Sequence, residues 1–302
     1  MESVSREIVR HAQQLAREVD ARAVVVYADA MTGDDELSHL GQAVDLPTIL
    51  VTRSRADVPP PGLGSPVWVS VPDVPMTRAG QVKTALLGCL ARGVLHRGDR
   101  VICLSGVDRS RALDTLSVLN LGDKPGLFSL FDPKSIGGDL APEVFERVLT
   151  LATQLAVEGR EGRPVGALFV LGDSERVLGQ SRSLVLNPFQ GHPESARNVL
   201  DPALEETLKE YSALDGAFIV RGDGVVLTAG SHLMPLPAAS TRLTGGLGTR
   251  HGAAACISAS TGAVAICISQ STGTVSVYKS GHLVADIQRP TGGPLPSEGH
   301  GE

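Results

Sequence analysis

Two short clusters in the second half of the sequence carry residue types suited to nucleotide binding. The first is Asp215-Gly216-Ala217, where a helical pattern gives way to a strand pattern. The second, GGLGTRHG, runs from Gly245 to Gly252 and precedes a run of small residues typical of a helix. Carboxylates suit divalent cations, and glycine-rich loops before helices suit phosphates. Both clusters therefore indicate phosphate chemistry.

The loop at 245–252 combines several features of an anion site. Its glycines let backbone amides approach an anion, and the first turn of the next helix offers N–H groups without partners. Thr249 adds a hydroxyl, Arg250 a planar and permanently charged donor, and His251 a ring donor. A glycine-rich turn with a surface arginine is the alternative that these residues leave open.

Asp215 is followed by two residues too small to shield its carboxylate. Such a carboxylate can hold Mg²⁺ or Mn²⁺, which also bind substrate phosphates, and it can orient a hydroxyl for attack. An aspartate that caps a helix end is the alternative, and Asp215 taken alone favours it. Familiar motifs are absent from the sequence: no P-loop, no GxGxxG after a strand, no HExxH and no GxSxG.

The composition limits the class of protein. The 302 residues are 42% hydrophobic and 20% charged, which predicts two globular domains. The net charge of −6 argues against nonspecific nucleic-acid binding, which needs clustered Lys and Arg. No apolar run approaches the roughly 20 residues that span a bilayer, and no signal peptide is evident, so we expect a cytoplasmic protein without a membrane partner. We interpret Cys89, Cys103, Cys256 and Cys267 as buried thiols.

Strand and helix patterns alternate in the first half. An amphipathic helix is predicted over residues 3–20. Continuous apolar runs typical of buried strands lie at 23–27, 48–51, 67–71 and 101–104, with helical patterns at 79–92 and 110–120. Such alternation predicts βαβ units and a mostly parallel sheet in an N-terminal α/β domain.

The second half begins after a Gly-, Pro- and Asp-rich stretch at 131–141 that is typical of a linker. Pro142 opens a helix that Gly159 is placed to end. Strands are predicted at 166–171, 217–220, 225–228, 264–269, 274–278 and 283–287. We therefore predict domains at 1–130 and 141–289, the second an α/β domain with a mixed central sheet, and a disordered tail at 290–302.

The second half resembles the diadenylate cyclase domain. The resemblance lies in DGAFIVRGDGVVLTAG and GGLGTRHGAAACISASTGAVAICISQSTGTVSVY, which contain a DGA motif and most of a downstream RHR motif. The stretches at 172–178 and 186–192 are similar to the archaeal form of this family, in which a pyruvate-kinase-like domain comes first. The first half resembles the C-terminal domain of pyruvate kinase through ARAVVVYADAMTGDDELSHL, DLPTILVTRS and LHRGDRVICLSGV, which implies a fold and a role in regulation or assembly.

The resemblance implies an enzyme that joins two ATP molecules into cyclic di-AMP and releases two pyrophosphates, as a homodimer or higher homo-oligomer with Mn²⁺ or Mg²⁺. Asp215 would hold the metal and help activate the ribose 3′-hydroxyl, with Arg250 and His251 as its catalytic partners. The residues implied to contact the nucleotide are Gly216, Ala217, Leu233, Gly248, Thr249, Arg250, His251 and Ser269, with Leu233 at the adenine and Ser269 at a phosphate.

One residue departs from the family pattern. Gly252 stands where the family usually has arginine. Loss of one charge-assisted hydrogen bond, about 1.5–3 kcal/mol, would weaken ATP binding or slow the reaction, although Arg242 or Arg221 could compensate. The alternative function is a non-catalytic sensor of an adenine nucleotide or cyclic di-AMP.

Overall fold

The computed structural model describes residues 2–30, 46–53, 67–106, 112–122, 139–235 and 248–288. Within these ranges lie two sheets, one in each half of the chain. The predicted tail at 290–302, most of the predicted linker and Arg242 lie outside the described residues. None of the helices within the described ranges is both long and apolar enough to cross a membrane.

The first sheet has five strands in the order β3-β2-β1-β4-β5. Its strands are β1 (Ala23–Tyr27), β2 (Thr48–Thr52), β3 (Val67–Ser70), β4 (Arg100–Ser105) and β5 (Thr115–Asn120). The first four are parallel, and β5 runs antiparallel to β4. All five residues of β1 are buried, because helices and neighbouring strands surround it. The prediction of a mostly parallel N-terminal domain is confirmed.

The helix predicted over residues 110–120 is wrong. Residues 115–120 form β5, which pairs with β4 from Arg100↔Asn120 to Ser105↔Thr115. Thr115 and Val118 are β-branched and favour a strand, and the free edge of β4 offers backbone partners that the local pattern does not reveal. β5 is only half-buried, so its apolar residues lack the continuous run that marks the other strands.

Two of the described helices accompany the first sheet. Helix α1 (Glu2–Glu18) buries Val9, Ala12 and Ala16, which share one face at helical spacing. Helix α2 (Arg78–Ala91) begins at Thr77, whose side chain accepts a hydrogen bond from the Gly80 amide at 3.0 Å. Both helices follow the sequence pattern closely.

The second sheet has seven strands in the order β12-β11-β10-β6-β8-β9-β7. Its strands are β6 (Leu168–Leu171), β7 (Ser181–Ser183), β8 (Ala217–Val220), β9 (Val226–Leu233), β10 (Val264–Ile268), β11 (Val275–Lys279) and β12 (His282–Ile287). Only β6 and β8 are parallel to each other, so the predicted mixed sheet is confirmed.

The described residues of the second half form four α-helices: α3 (Pro142–Glu158), α4 (Ser174–Leu178), α5 (Glu205–Tyr211) and α6 (Thr249–Ser260). Helix α3 has proline in its first turn and ends at Gly159, which adopts φ 65°. It packs against the second sheet through buried residues such as Phe145 and Val148. Helix α6 packs against β10 and β11 and begins at the edge where the predicted site residues lie.

Helix α2 connects the two halves. Lys83 donates to the backbone oxygen and to Oδ1 of Asp286 in β12, both at 2.8 Å. Arg92 donates two hydrogen bonds to Glu146 in α3, at 2.5 and 2.7 Å. Buried side chains from both sheets form one continuous apolar cluster beneath these contacts. The second sheet therefore rests directly on the first domain.

Candidate functional site

Several chain segments meet at one edge of the second sheet. Phe169 of β6 pairs with Phe218 of β8 in parallel, so these strands begin at the same edge. Cys267 of β10 pairs with Leu168 in the antiparallel sense, so β10 ends there. Helix α6, which precedes β10 and packs on it, begins at this edge as well. Segments far apart in sequence thus bring Asp215, Arg250 and Ser269 to one edge.

A cavity of about 290 Å³ opens at this edge. The residues around it come from β6, β8, β9, α6 and the segment after β7: Leu168, Leu184, Asp215, Gly216, Ala217, Ser231, His232, Leu233, Thr249, Arg250 and Ala253. The predicted metal ligand Asp215 and five of the predicted nucleotide-contact residues, Gly216, Ala217, Leu233, Thr249 and Arg250, therefore line one cavity.

The backbone conformation at position 216 and the neighbouring atoms both require glycine there. It adopts φ 103°, a conformation that side chains with a Cβ rarely occupy. A Cβ there would lie 2.7 Å from Gly230 C and 2.7 Å from Ser231 N of β9. The close approach of the two backbones turns the chain sharply, so that Asp215 stays outside while Ala217 enters the core.

The Asp215 carboxylate is held at the rim of the cavity and remains open. Its side chain is 87% exposed, and Oδ1 accepts a hydrogen bond from the Gly216 amide at 3.0 Å. Arg250 Nη2 lies 3.7 Å from the same oxygen, a contact too long for a hydrogen bond. Most of the carboxylate's capacity to accept hydrogen bonds or bind a cation is therefore unused.

The Arg250 side chain lies along the floor of the site. A Cβ on Gly166 would lie 2.9 Å from its Nη1, so this glycine makes room for the guanidinium. Burial raises the pKa of the Cys267 thiol to about 12, and the charge of Arg250 acts in the opposite direction. Buried Nε of Arg250 has no hydrogen-bond acceptor among the described residues. A buried charged donor without an acceptor is costly, and an anionic ligand would complete it.

The N-terminus of α6 supplies further donors. Gly248 caps the helix without a side-chain hydrogen bond, and its carbonyl accepts from the amides of His251 and Gly252. Within the described part of the chain, the amides of Thr249 and Arg250 have no backbone acceptor. Free amides and the partial positive charge of a helix N-terminus favour an anion at this place.

His251 lies beside the cavity on the first turn of α6. Its ring is half-buried and meets the Tyr278 ring edge-to-face, with centroids 6.3 Å apart. Burial lowers the pKa of His251, so the imidazole is neutral at pH 7 and donates through one nitrogen. Burial also raises the pKa of Tyr278 to about 12. This pair fixes the ring at the helix N-terminus.

Comparison with known proteins shows the family of this chain. Residues 154–283 match a family model described as "DisA bacterial checkpoint controller nucleotide-binding", and residues 5–128 match one described as "Probable sensor domain DacZ_P". A protein named diadenylate cyclase from Haloferax volcanii is 30% identical over 83% of this chain and 89% of its own length. The chain belongs to the diadenylate cyclase family. The predicted family is thereby confirmed.

Two further relatives were found. A protein named diadenylate cyclase from Methanocaldococcus jannaschii is 34% identical over 67% of this chain, and the match spans 64% of that relative's length. The crystal structure of DacA from Staphylococcus aureus is 24% identical, covers 49% of this chain and 87% of that chain, and gives a TM-score of 0.30. In this diadenylate cyclase family member, the match to the model described as a probable sensor domain lies within the first half of the chain.

Two of the predicted contact residues besides His251 lie next to the cavity of this family member and do not line it. Gly248 is the N-cap of α6. Ser269 follows β10, where its Oγ lies 3.3 Å from the Ser271 hydroxyl and accepts from the Thr272 amide at 3.3 Å. A Cβ on Gly166 would lie 2.9 Å from Arg250 Nη1 and 3.0 Å from the Cβ of Gln270, the residue after Ser269, so Ser269 lies on the Arg250 side of the site.

Arg221 is committed elsewhere in the molecule. It donates to Glu194 at 2.8 and 2.6 Å and to Asp223 at 2.9 and 2.7 Å. Arg221 therefore does not replace the arginine that the family usually has at position 252. The other proposed substitute, Arg242, lies outside the described residues.

The sequence analysis did not identify the apolar wall of the cavity. Leu168, Leu184 and Ala253 line it together with the predicted Leu233, and His232 and Ser231 add polar atoms. The pairing of β9 with β7 and β8, irregular at two points of the β8–β9 register, brings Leu184 to the β9 residues, and the pairing of β6 with β8 and the packing of α6 on β10 add Leu168 and Ala253. The alternation of side chains between the two faces of β9 could have suggested His232. No local sequence pattern predicts that Leu168 or Leu184 lines the cavity.

The donors at the site suit a hard divalent cation bound together with phosphates. Among the described residues, no group of three or more Cys, His, Asp or Glu side chains comes together as a metal site. The open carboxylate of Asp215 is one oxygen ligand, and Mg²⁺ is commonly held by one or two carboxylates with substrate phosphates and water. Mn²⁺ accepts the same oxygen ligands.

Proposed function

We propose that this chain condenses two ATP molecules into cyclic di-AMP and two pyrophosphates. The observation that carries the proposal is the arrangement of two groups around one cavity: the exposed carboxylate of Asp215 lies 3.7 Å from the guanidinium of Arg250, and the buried Nε of Arg250 has no acceptor among the described residues. Leu168, Leu184, Leu233 and Ala253 give the same cavity apolar surface that suits a nucleobase. The names of the relatives, at 30% and 34% identity, support the same reaction.

The triphosphate lies at the start of α6 in this proposal. The amides of Thr249 and Arg250, the Thr249 hydroxyl and the Arg250 guanidinium donate to its oxygens, and His251 and Ser269 contribute from the side. Preorganised donors of this kind stabilise the charge that develops on a phosphoryl group during transfer. The base rests against Leu233, and Gly216 and Ala217 let the sugar approach the backbone.

Asp215 acts on the ribose. Its exposed carboxylate orients the 3′-hydroxyl and accepts its proton as the oxygen attacks the α-phosphorus of the other ATP. The new bond is a 3′–5′ phosphodiester, and the bond from the α-phosphorus to the bridging oxygen breaks to release pyrophosphate. A divalent cation held by Asp215 and phosphate oxygens would neutralise negative charge on the phosphates.

Two copies of the chain are required, because one cavity presents one carboxylate and one set of phosphate donors. Two ATP molecules must therefore meet across a face-to-face dimer, with each 3′-hydroxyl directed at the other α-phosphorus. Positioning of this kind replaces an encounter in solution and accounts for much of the acceleration. Asp215 lies at the cavity rim, where a second copy can approach it.

The alternative function is a sensor that binds an adenine nucleotide without turning it over. Gly252 in place of the family arginine and the match to a probable sensor domain favour this alternative. A sensor would bind ATP at the same cavity and yield no product. Product formation therefore separates the two functions.

The test is mass spectrometry of the products that the purified full chain forms from ATP with Mn²⁺. We expect cyclic di-AMP and two equivalents of pyrophosphate. Asp215→Asn should lower the rate at least about 100-fold, because it removes the proton acceptor and the cation ligand. Asp73→Asn is the matched control, since its side chain is 77% exposed in the first half. Full activity of Asp215→Asn would refute the site, and ATP binding without product would establish the sensor.

A further inference from the structure

A second cavity, of about 480 Å³, lies next to the first at the β7 edge of the sheet. Its wall comes from β7, β9 and the segment 187–197: Leu178, Ser181, Arg182, Ser183, Asn187, Phe189, Gln190, Gly191, Arg197, Leu227, Thr228 and Ser231. Its volume is within the range of small-molecule sites, about 300–1,000 Å³. Ser231 lines both cavities, so one strand separates them.

Two arginines line this cavity, and the described residues around it include no carboxylate. Arg182 is exposed and forms no side-chain hydrogen bond or ion pair with any described residue. Arg197 donates to the carbonyl oxygens of His192 at 3.1 Å and Val226 at 2.6 Å, which orient its guanidinium without neutralising it. Glu194 is held by two hydrogen bonds from Arg221. The cavity wall therefore carries positive charge.

The arrangement of Arg197 favours a phosphate over a simple counter-ion in solution. Nε and Nη1 are fixed by backbone carbonyls, so Nη2 is presented in one direction. A planar guanidinium held in this way matches the oxygens of a phosphate. Asn187 stiffens the same wall, because Nδ2 donates to the Leu227 carbonyl at 2.8 Å and Oδ1 accepts from the Phe189 amide at 3.1 Å.

The rest of the wall suits a larger organic group. Leu178, Phe189 and Leu227 provide apolar surface, and the Gln190 amide and the Ser183 hydroxyl provide neutral polar groups. A single phosphate would leave most of a cavity of this size empty. We propose that the second cavity binds a phosphate ester of nucleotide size, with Arg182 and Arg197 holding the phosphate.

This site is separate from the proposed catalytic cavity and does not depend on turnover. Cyclic di-AMP carries the required phosphate and a large organic group, whereas pyrophosphate carries the phosphate chemistry alone. The two probes therefore distinguish a nucleotide site from a general phosphate site, and both can be added whether or not the chain makes them.

The experiment is isothermal titration calorimetry of each probe with the Arg250→Ala chain, in which the first cavity has lost its guanidinium. We expect the Arg250→Ala chain still to bind cyclic di-AMP. Adding Arg182→Ala to it should weaken the affinity about 10- to 100-fold, the effect of one charge-assisted contact. Arg163→Ala is the control, because Arg163 is exposed outside both cavities and the change in charge is identical. Equal affinities for cyclic di-AMP in the Arg182→Ala and Arg163→Ala variants would overturn the proposal.

A second measurement tests the proposal without the Arg250→Ala substitution, in case that variant does not fold. Equilibrium dialysis of cyclic di-AMP against the otherwise unchanged chain should show fewer bound ligands for Arg182→Ala than for Arg163→Ala. Equal numbers would overturn the proposal, and so would binding of pyrophosphate without binding of cyclic di-AMP. Loss of catalysis through Asp215→Asn should leave this binding unchanged, which distinguishes the site from the proposed function.

Discussion

Charged side chains at the sheet edges of the two halves differ in how completely they are paired. In the first half, Asp29 accepts from the Thr52 hydroxyl at 2.9 Å and the Arg53 amide at 2.6 Å. Arg78 donates twice to Asp114, at 2.8 and 2.5 Å. In the second half, Asp215 is 87% exposed and Arg250 Nε has no acceptor among the described residues.

The difference separates charges that serve the fold from charges kept for a ligand. A paired charge contributes modestly to stability and has little capacity left for binding. A charge that is buried or oriented without a partner lowers the stability of the folded chain, and a ligand that binds to it stabilises the folded chain again. Removing the hydrogen-bonded charges of the first half should therefore change stability. Removing Asp215 or Arg250, which contact each other only at 3.7 Å, should change nucleotide binding.

The largest effect is expected at Gly216, whose conformation creates the open carboxylate. Gly216→Ala places a Cβ 2.7 Å from the backbone of β9 at a positive φ, so we expect a loss of about 2–4 kcal/mol in unfolding free energy and loss of activity. Gly162→Ala is the control, because Gly162 has φ 70° with no neighbour within 4 Å and should cost only about 1 kcal/mol. Urea unfolding measures both. Equal losses would show that the close approach of the two backbones is unimportant.

The effect of removing Arg250 comes next. Arg250→Ala removes a guanidinium whose Nε has no acceptor among the described residues and which lies 3.7 Å from the exposed Asp215 carboxylate, so ATP affinity should fall about 10- to 100-fold. Its unfolding free energy should stay within about 0.5 kcal/mol of the original chain. Titration calorimetry and chemical unfolding give the two values. A large loss of stability with unchanged affinity would mean that Arg250 belongs to the fold.

A smaller effect is expected from restoring arginine at position 252, where this chain has glycine and the family usually has arginine. Gly252→Arg adds a cation on the first turn of α6, so the KM for ATP should fall several-fold. Gly252→Ala is the control for helix propensity, because it should raise stability by about 1 kcal/mol without lowering KM. Steady-state kinetics and thermal unfolding separate these outcomes. A KM lowered equally by alanine would rule out a charge effect.

A paired charge of the first half should behave in the opposite way. Arg78→Ala breaks two hydrogen bonds to Asp114 at a partly exposed position, so unfolding free energy should fall by about 0.2–1 kcal/mol. ATP affinity and the rate of product formation should not change. An effect on catalysis larger than that on stability would indicate coupling from the first half to the site.

The smallest effect concerns the protonation of His251. Burial lowers its pKa in the free chain, so the unfolded state binds more protons and stability should decline as pH falls below about 6.5. A bound triphosphate favours the charged ring, so ATP binding near pH 6.5 should take up a fraction of a proton. Calorimetry in buffers of different ionisation enthalpy measures this uptake, and His251→Gln should abolish it. Proton release would contradict a phosphate next to this ring.

Much of the fold could be predicted because the strands of both sheets have strong apolar patterns. β1 and β10 are continuous buried runs, and Pro142 and Gly159 mark the two ends of α3. β5 could not be predicted, because its half-buried residues lack a strong period and its partner strand decides its conformation. Local pattern fails where tertiary pairing determines the structure.

Part of the candidate site could be predicted from the sequence because Asp215 and the loop before α6 have distinctive local chemistry. Their approach across the sheet depends on the parallel pairing of β6 with β8, which local patterns do not specify. The contact of Gly166 with Arg250, 84 residues apart in sequence (250 − 166), has no local signal. The family resemblance supplied what short-range pattern could not.

The central claim is that one cavity holds ATP with its phosphates at α6 and its ribose at Asp215. A crystal structure of the full chain with 3′-deoxyATP and Mn²⁺ tests this most directly, because that nucleotide lacks the attacking hydroxyl and remains intact. We predict triphosphate oxygens at the amides of Thr249 and Arg250, and ribose C3′ next to Asp215 in each of two facing copies. Triphosphate bound away from α6, or ribose remote from Asp215, would contradict the account.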